Sequence, residues 1–400
     1  MKPGAREETK LVEISAFLSE TQIYNLNLLK LIKYCNISQI CYKLNGFVEK
    51  YKPSQSSDNK EVRTGVSQFL QSINKKEAAS STSTTAASET EAAPDENTAP
   101  GNCLQPVVDL LACLCMNHGE ARLVVTSGPR LVDGRLRFLL LDPAHQFRDI
   151  VSSAHSVVVA GGTMQPLSEF RDQLFISAGA SPQRVTHFSC DHVVPPANIL
   201  PRVLCSGPTG ARLDFTFQYR EKPETLAELG RVLLNLVNIV PGGLVVFFPS
   251  YDYEKLVFKH LSSTGVLARL EAKKKVYREP KQSSSLDKVL SDYSNSVRLA
   301  GGAVLLAVVG GKMSEGINFS DDLGRCVVMI GLPYPNLHSP ELKEKMSYLD
   351  RSVAVAGDGE CRRPGQQHYD NLCMKAVNQS VGRAIRHIND YAAILFLDHR

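Results

Sequence analysis

None of the ten cysteines in this 400-residue chain pairs with another at C-x-x-C spacing. Cys113 and Cys115, separated by one residue, come nearest, and neither a zinc ribbon nor a redox dithiol can be built from them. Ferredoxin-like spacing is missing too, so these cysteines alone do not make an iron–sulfur cluster, and reduced thiols in an intracellular protein are expected. Apolar runs are short. Leu244 to Phe248 and Ala303 to Val309 are far below the ~20 residues that cross a bilayer. No apolar stretch follows the first residues, Met1-Lys2-Pro3-Gly4, so no secretory signal is expected and the protein should be soluble. The chain also lacks a G-x-x-x-x-G-K-[ST] phosphate loop. Lys312 follows two glycines, but positions 306 and 313 would have to be Gly and Ser or Thr, and they are Leu306 and Met313. A D-E-A-H or D-E-x-[HD] box is likewise absent. Charge of one sign barely dominates: 45 basic against 41 acidic side chains leave +4, too little to identify a nucleic-acid partner.

What is present falls into zones. Residues 1–76 place Leu11, Ile14, Phe17 and Leu18, then Leu26, Leu29 and Ile32, at helical intervals. Residues 77–101 are Ala, Ser, Thr and Glu with Pro94 and Pro100, a composition that cannot offset its ordering entropy and predicts a disordered loop. Residues 102–154 lead into residues 155–400, where short apolar, β-branched runs alternate with helical stretches. Strands are expected at 137–141, 156–160, 213–219, 244–248, 303–309, 326–330 and 392–397. Helices are expected at 104–116, 145–154, 166–178, 224–238, 251–262, 284–299, 339–350 and 370–387. Strands apolar on both faces that alternate with helices predict an α/β fold with a mostly parallel, doubly covered sheet.

Ligands of such sheets bind beyond the carboxyl ends of the strands. Four strand ends run into Gly, Pro and hydroxyl residues: Gly161-Gly162-Thr163, Pro249-Ser250-Tyr251, Gly310-Gly311-Lys312 with Glu315-Gly316 after it, and Gly331-Leu332-Pro333. One shared functional rim is expected there. Gln379-Ser380-Val381-Gly382-Arg383-Ala384-Ile385-Arg386 is the most specific segment. On a continuous helix Gln379, Arg383 and Arg386 share a face at i, i+4 and i+7, with Gly382 allowing close approach. Two guanidiniums so placed suit the charge on a transferring phosphoryl group. Lys273-Lys274-Lys275, Arg278 and Lys281 beside Tyr277 form a basic cluster, read as an exposed helix face with phosphate tracking as the alternative.

Q-x-x-G-R-x-x-R resembles motif VI of superfamily-two helicases. Gly311-Lys312-Met313-Ser314-Glu315-Gly316-Ile317-Asn318-Phe319 resembles motif V in its XPD-like form, Ala160-Gly161-Gly162-Thr163-Met164 resembles motif III, and Phe247-Phe248-Pro249-Ser250-Tyr251 resembles motif IV. All four stand in family order within 155–400. The wording of 310–336 and 371–387 is especially similar to the chromosome-loss-related (ChlR-type) DEAH-box DNA helicases, and residues 1–150 resemble, less specifically, that branch's inserted arch domain. The resemblance implies a RecA-like second helicase lobe with a partial helical arch, a nuclear location, and single-stranded or forked DNA as partner. It implies that Arg383 and Arg386 act catalytically as fingers, that Gln379, Gly382, Glu315 and Gly316 line the ATP cleft, and that Thr163, Ser250, Tyr251 and Lys312 lie along the nucleic acid. ATP and Mg²⁺ would be gripped by the family's other lobe, which also supplies its iron–sulfur cysteines, and no metal ligand is assigned in this chain. The pattern reads as truncated at both ends.

Arginine fingers stabilise a transition state that a phosphate loop and metal must already hold. The chain alone is therefore expected to show no DNA-stimulated ATP hydrolysis. Phosphate release that Arg383→Ala abolishes would overturn this.

Overall fold

The computed structural model describes residues 8–44, 104–115, 119–128, 130–190, 192, 194–313, 319–354 and 363–400. The chain divides into two compact units, Met1–Leu139 and Leu140–Arg400. The predicted disordered loop at 77–101 falls outside the described residues.

In the first unit β1 (Glu8–Glu13) pairs antiparallel with β2 (Ala121–Ser127), and β3 (Arg135–Leu140) completes a three-stranded sheet. Helices α1 (Ile14–Glu20), α2 (Leu28–Ser38) and α3 (Gln105–Cys115) cover it, and Leu28, Leu114 and Leu123 meet in its small core. The helical expectation over 1–76 needs correction at its start. Leu11 is on a strand, because the ladder to Val124 satisfies a backbone that an isolated first turn would leave open.

The second unit opens with α4 (Ala144–Ser153) and a π-helical segment, Glu169–Ile176. Then follow β4 (Ile199–Leu204), α5 (Pro223–Ile239), β5 (Gly242–Phe248), α6 (Tyr251–Ser263), α7 (Val266–Glu271), β6 (Lys275–Arg278), α8 (Leu286–Leu299) and β7 (Gly302–Val308). β8 (Cys326–Ile330), α9 (Pro340–Ala354), α10 (Pro364–Val381) and β9 (Ala392–Leu397) complete it. The six strands lie in the order β4-β9-β8-β5-β7-β6, and every pairing is parallel. The expected α/β class is present. All seven residues of β7 and all five of β8 are buried, as a sheet covered on both faces requires. Alternate side chains feed two cores. Leu244, Val246 and Phe248 pack beneath α5 and α6, while Val245 and Phe247 pack with Leu305, Met313, Val377 and Ala384.

Several expectations fail here for identifiable reasons. Residues 156–160 form no strand. Val158 is 86% exposed, and three valines carry β propensity without a neighbour to pair with. The strand expected at 213–219 does not form, and at Thr216 the N–H and hydroxyl both turn back to Asp214 Oδ1 (3.0 and 2.6 Å). β6 contradicts the helical face read from the lysine cluster. Lys274 is buried with Nζ on the carbonyls of Val240 and Gly242, and Arg278 forms a bidentate pair with Glu254 (2.7 and 2.7 Å). β4 carries Pro201 and so had no clear strand signal, yet it pairs with β9 at the sheet edge, where proline is tolerated.

The segment 155–176 is anchored to α10 by Glu169. Its carboxylate accepts from Asn371 Nδ2 (3.0 Å), lies 3.4 Å from His368 Nδ1 and pairs with Lys375. Burial alone would raise this acid. The bonds from His368, Lys375 and Asn371, with the Lys375 charge, outweigh burial and hold it at about 2. A depressed carboxyl stabilises the fold above its ordinary value, 4.5, and loses that contribution as pH falls toward about 2. Glu169→Gln is expected to lower stability by about 1–3 kcal/mol at neutral pH. The gap from the parent should close between those two values, as read by urea unfolding at stepped pH.

Candidate functional site

Parallel strands place their carboxyl ends on one rim and their amino ends on the other. A seven-residue strand at ~3.3 Å per residue separates the two rims by roughly 20 Å. The sequence-predicted residues divide between them.

Three loops share one carboxylate on the carboxyl rim. Glu279, the first residue after β6, is buried and accepts from Tyr251 Oη (2.8 Å), Val308 N (2.8 Å) and Met313 N (3.1 Å). It thereby ties the ends of β5, β6 and β7 together. A Cβ on Gly311 would sit 2.4 Å from the Glu279 carboxylate, so a side chain there would collide with the anchor. Ser250 caps α6 by accepting from Tyr253 N (3.2 Å). Burial, then the Glu279 carboxylate, raises the Tyr251 phenol far above its ordinary value, and the Lys312 backbone N–H opposes this only in part. Tyr251 and Ser250 thus have structural duties alongside any contact with a ligand. Lys312 has an exposed side chain on the same rim. Thr163 lies on the separate segment that Glu169 anchors, and it is half-buried. Glu315 and Gly316 fall outside the described residues. Sequence reasoning missed Glu279. A lone acid at a strand end beside Pro280 was the available signal, and the surrounding lysines masked it.

Gln379, Arg383 and Arg386 occupy the opposite rim, ahead of β9. The continuous helix expected over 370–387 ends at Val381, with Gly382 as its cap donating to Asn378 O (2.9 Å). The ladder stops because other partners take its groups. Phe319 N donates to Arg383 O (3.0 Å), and Asp390 Oδ2 accepts from Arg386 N (3.2 Å). The i, i+4, i+7 argument therefore does not describe this segment, and the three residues do not meet the loops at 250 and 312 on one rim. The two arginines nonetheless stay together. Burial first, and the like charge of Arg383 second, lower the Arg386 guanidinium from its ordinary value.

Asp390 organises this turn. Its side chain is fully buried and accepts from Arg325 Nη1 (2.9 Å), Tyr391 N (3.0 Å) and Arg386 N (3.2 Å). Arg325 also lies over the Tyr391 ring at 3.9 Å and donates to Tyr391 O (2.9 Å). Asp321, His387 and Asp390 are the one group of three potential metal ligands among the described residues. With Asp390 already occupied by these donors, the trio is a poor cage. Iron–sulfur ligation does not suit Cys326 or Cys373 either. Burial pushes the Cys326 thiol up to about 12 and the Cys373 thiol up to about 11, the reverse of what a thiolate ligand needs.

Residues 233–400 match the helicase C-terminal domain family. Over these residues the chain matches that domain family, and it is similar to ATP-dependent DNA helicases named DDX11 and CHL1. It is 48% identical to the ATP-dependent DNA helicase DDX11 of Danio rerio over 98% of its own length and 44% of the relative's. The mouse DDX11 is 45% identical over 98% of this chain and 43% of that protein. The ATP-dependent DNA helicase CHL1 of Scheffersomyces stipitis is 42% identical over 74% and 35%. The chain thus spans less than half the length of these curated relatives. A solved XPD helicase chain aligns with a TM-score of 0.46 at 18% identity, over 74% of this chain and 46% of that one.

Asp390→Ala takes from Arg325 its buried carboxylate partner, leaving it the exposed Asp322 and the Tyr391 carbonyl, and frees the Arg386 amide. A loss of about 3–5 kcal/mol is expected, measured as a lower urea midpoint.

Proposed function

We propose that residues 155–400 act as the second motor lobe of an ATP-dependent DNA helicase. In this reading the amino rim serves nucleotide and the carboxyl rim serves nucleic acid. The observation that carries it is the turn bearing Arg383 and Arg386, fixed by buried Asp390 through Arg386 N, inside a domain similar to DDX11 and CHL1. Gln379 and Gly382 stand beside the arginines at the end of α10, suited to contact the γ-phosphate of ATP, with Glu315 and Gly316 lining the same cleft. The bound nucleotide and Mg²⁺ supply the phosphoryl group and its charge neutralisation. Arg383 and Arg386 supply fixed positive charge to the transition state. No residue of this chain forms a phosphate loop, so Mg²⁺ and the β-phosphate are assigned to another lobe, together with any iron–sulfur cluster.

On the carboxyl rim, Ser250, Tyr251 and Lys312 suit a phosphate backbone, with Thr163 on the neighbouring segment. Hydroxyls, amides and one lysine contact phosphate without reading sequence. The partner is single-stranded or forked DNA, and the compartment is the nucleus.

A second reading is favoured by the missing phosphate loop: the chain alone binds single strands without turnover. Both readings require strand binding. The chain is expected to bind a fluorescein-labelled oligothymidylate, with log affinity falling linearly in log salt at about −0.7 per phosphate neutralised. Lys312→Ala should reduce that slope by about one such increment. Arg383→Ala should leave it unchanged. Salt-independent or absent binding in fluorescence anisotropy would remove the carboxyl-rim assignment.

A further inference from the structure

The strand expected at 213–219 would turn alternate side chains toward a core. Leu213 and Phe215 do enter the core. At Thr216 the chain leaves that course. Tyr219 N and Arg220 N both donate to Thr216 O (3.0 and 2.9 Å), and Lys222 N donates to Tyr219 O (3.0 Å). This closed turn directs Phe217 and Tyr219 outward, with 79% and 42% of their surface exposed.

Scattered single hydrophobics on a surface need no explanation. These two differ because each ring is paired with a cation. The Arg220 guanidinium lies 4.9 Å from the Phe217 centroid and 5.2 Å from that of Tyr253, between the two rings. Its ion-pair partner, the exposed Glu221, is 4.0 Å away, and among the described residues its buried Nε has no hydrogen-bond partner. Lys222 Nζ lies over the Tyr219 ring at 3.9 Å. An arginine held between rings, with only a loose and exposed acid beside it, keeps its charge available to a ligand.

The turn also sits on the rim assigned above to nucleic acid. His399 N, just past β9, donates to Leu213 O (3.0 Å), and a Cβ on Gly331, just past β8, would meet Phe215. Tyr253 Oη donates to Arg220 O (2.9 Å), which fixes the turn to α6, the helix that Ser250 and Tyr251 begin. Two exposed rings with interleaved cations, on a rigid turn beside backbone-contact residues, match what single strands require: a flat face for a base and a positive charge for the adjoining phosphate.

We infer that Phe217 and Tyr219 form a base-stacking platform for single-stranded nucleic acid, with Arg220 and Lys222 meeting the flanking phosphates. The inference rests on the carboxyl-rim reading and adds base contact to backbone contact. Stacking is tolerant of sequence, since every base presents a π-face, so no base preference is expected.

The chain holds no tryptophan, so Phe217→Trp installs a single reporter at the platform. Titration with oligothymidylate is expected to quench its emission, and an abasic strand of equal length and charge is expected to leave it unquenched. In anisotropy, Phe217→Ala should weaken oligothymidylate binding on the order of tenfold. Phe217→Leu, which keeps apolar bulk and removes the ring, should weaken it similarly. All three substitutions fall on an exposed side chain, and an unchanged melting temperature verifies the fold. Oligothymidylate binding that persists in Phe217→Ala, with no quenching in Phe217→Trp, overturns the platform while leaving the rim assignment intact. Equal quenching by the abasic strand also overturns it, since the rings would then respond to charge or to a different kind of partner. Failure of the unsubstituted chain to bind any strand removes both.

Discussion

The central strands β5, β7 and β8 of the second unit's parallel sheet are closed to solvent on both faces, and that closure constrains everything else. β5, β7 and β8 have essentially no room for a polar side chain along their length. Chemistry is driven to the strand ends, where backbone groups lose their ladder partners and loops must supply replacements. The two rims then become distinct environments by geometry alone. One gathers hydroxyls, glycines and lysine around Glu279. The other gathers arginines around Asp390. In both places a buried carboxylate gathers the donors that would otherwise be orphaned.

The central strands were legible because β-branched and apolar runs of five to seven residues carry their signal locally. The long helices were legible for the same reason. What could not be read was decided by partners distant in sequence. Val157 to Val159 have the composition of a strand, but hydrogen bonding needs an edge to join. β4, interrupted by Pro201, has a poor composition and an edge partner in β9. Composition proposes strands, and pairing decides among them.

The arginine segment illustrates a subtler limit. Its residue types identified it, and its spacing suggested one helical face. The helix ends at Gly382, because Phe319 and Asp390 reach in from elsewhere to claim the next backbone groups. The arginines remain neighbours by a different route, through a turn that no local pattern encodes. Glu279 and Asp390 escaped the reading for one shared reason. Glu279 works through amides about thirty residues away and Asp390 through the guanidinium of distant Arg325, and an isolated acid gives no periodic signature.

The Glu279 anchor also has a mechanical meaning. Its two oxygens hold the phenol at the start of α6, the last amide of β7 and the turn that follows Lys312, so these parts cannot shift one at a time. A pull applied to the turn at Lys312 is delivered to α6 through a single side chain, and from α6 through Tyr253 to the turn at Arg220. The rim behaves as one lever rather than as a row of independent fingers.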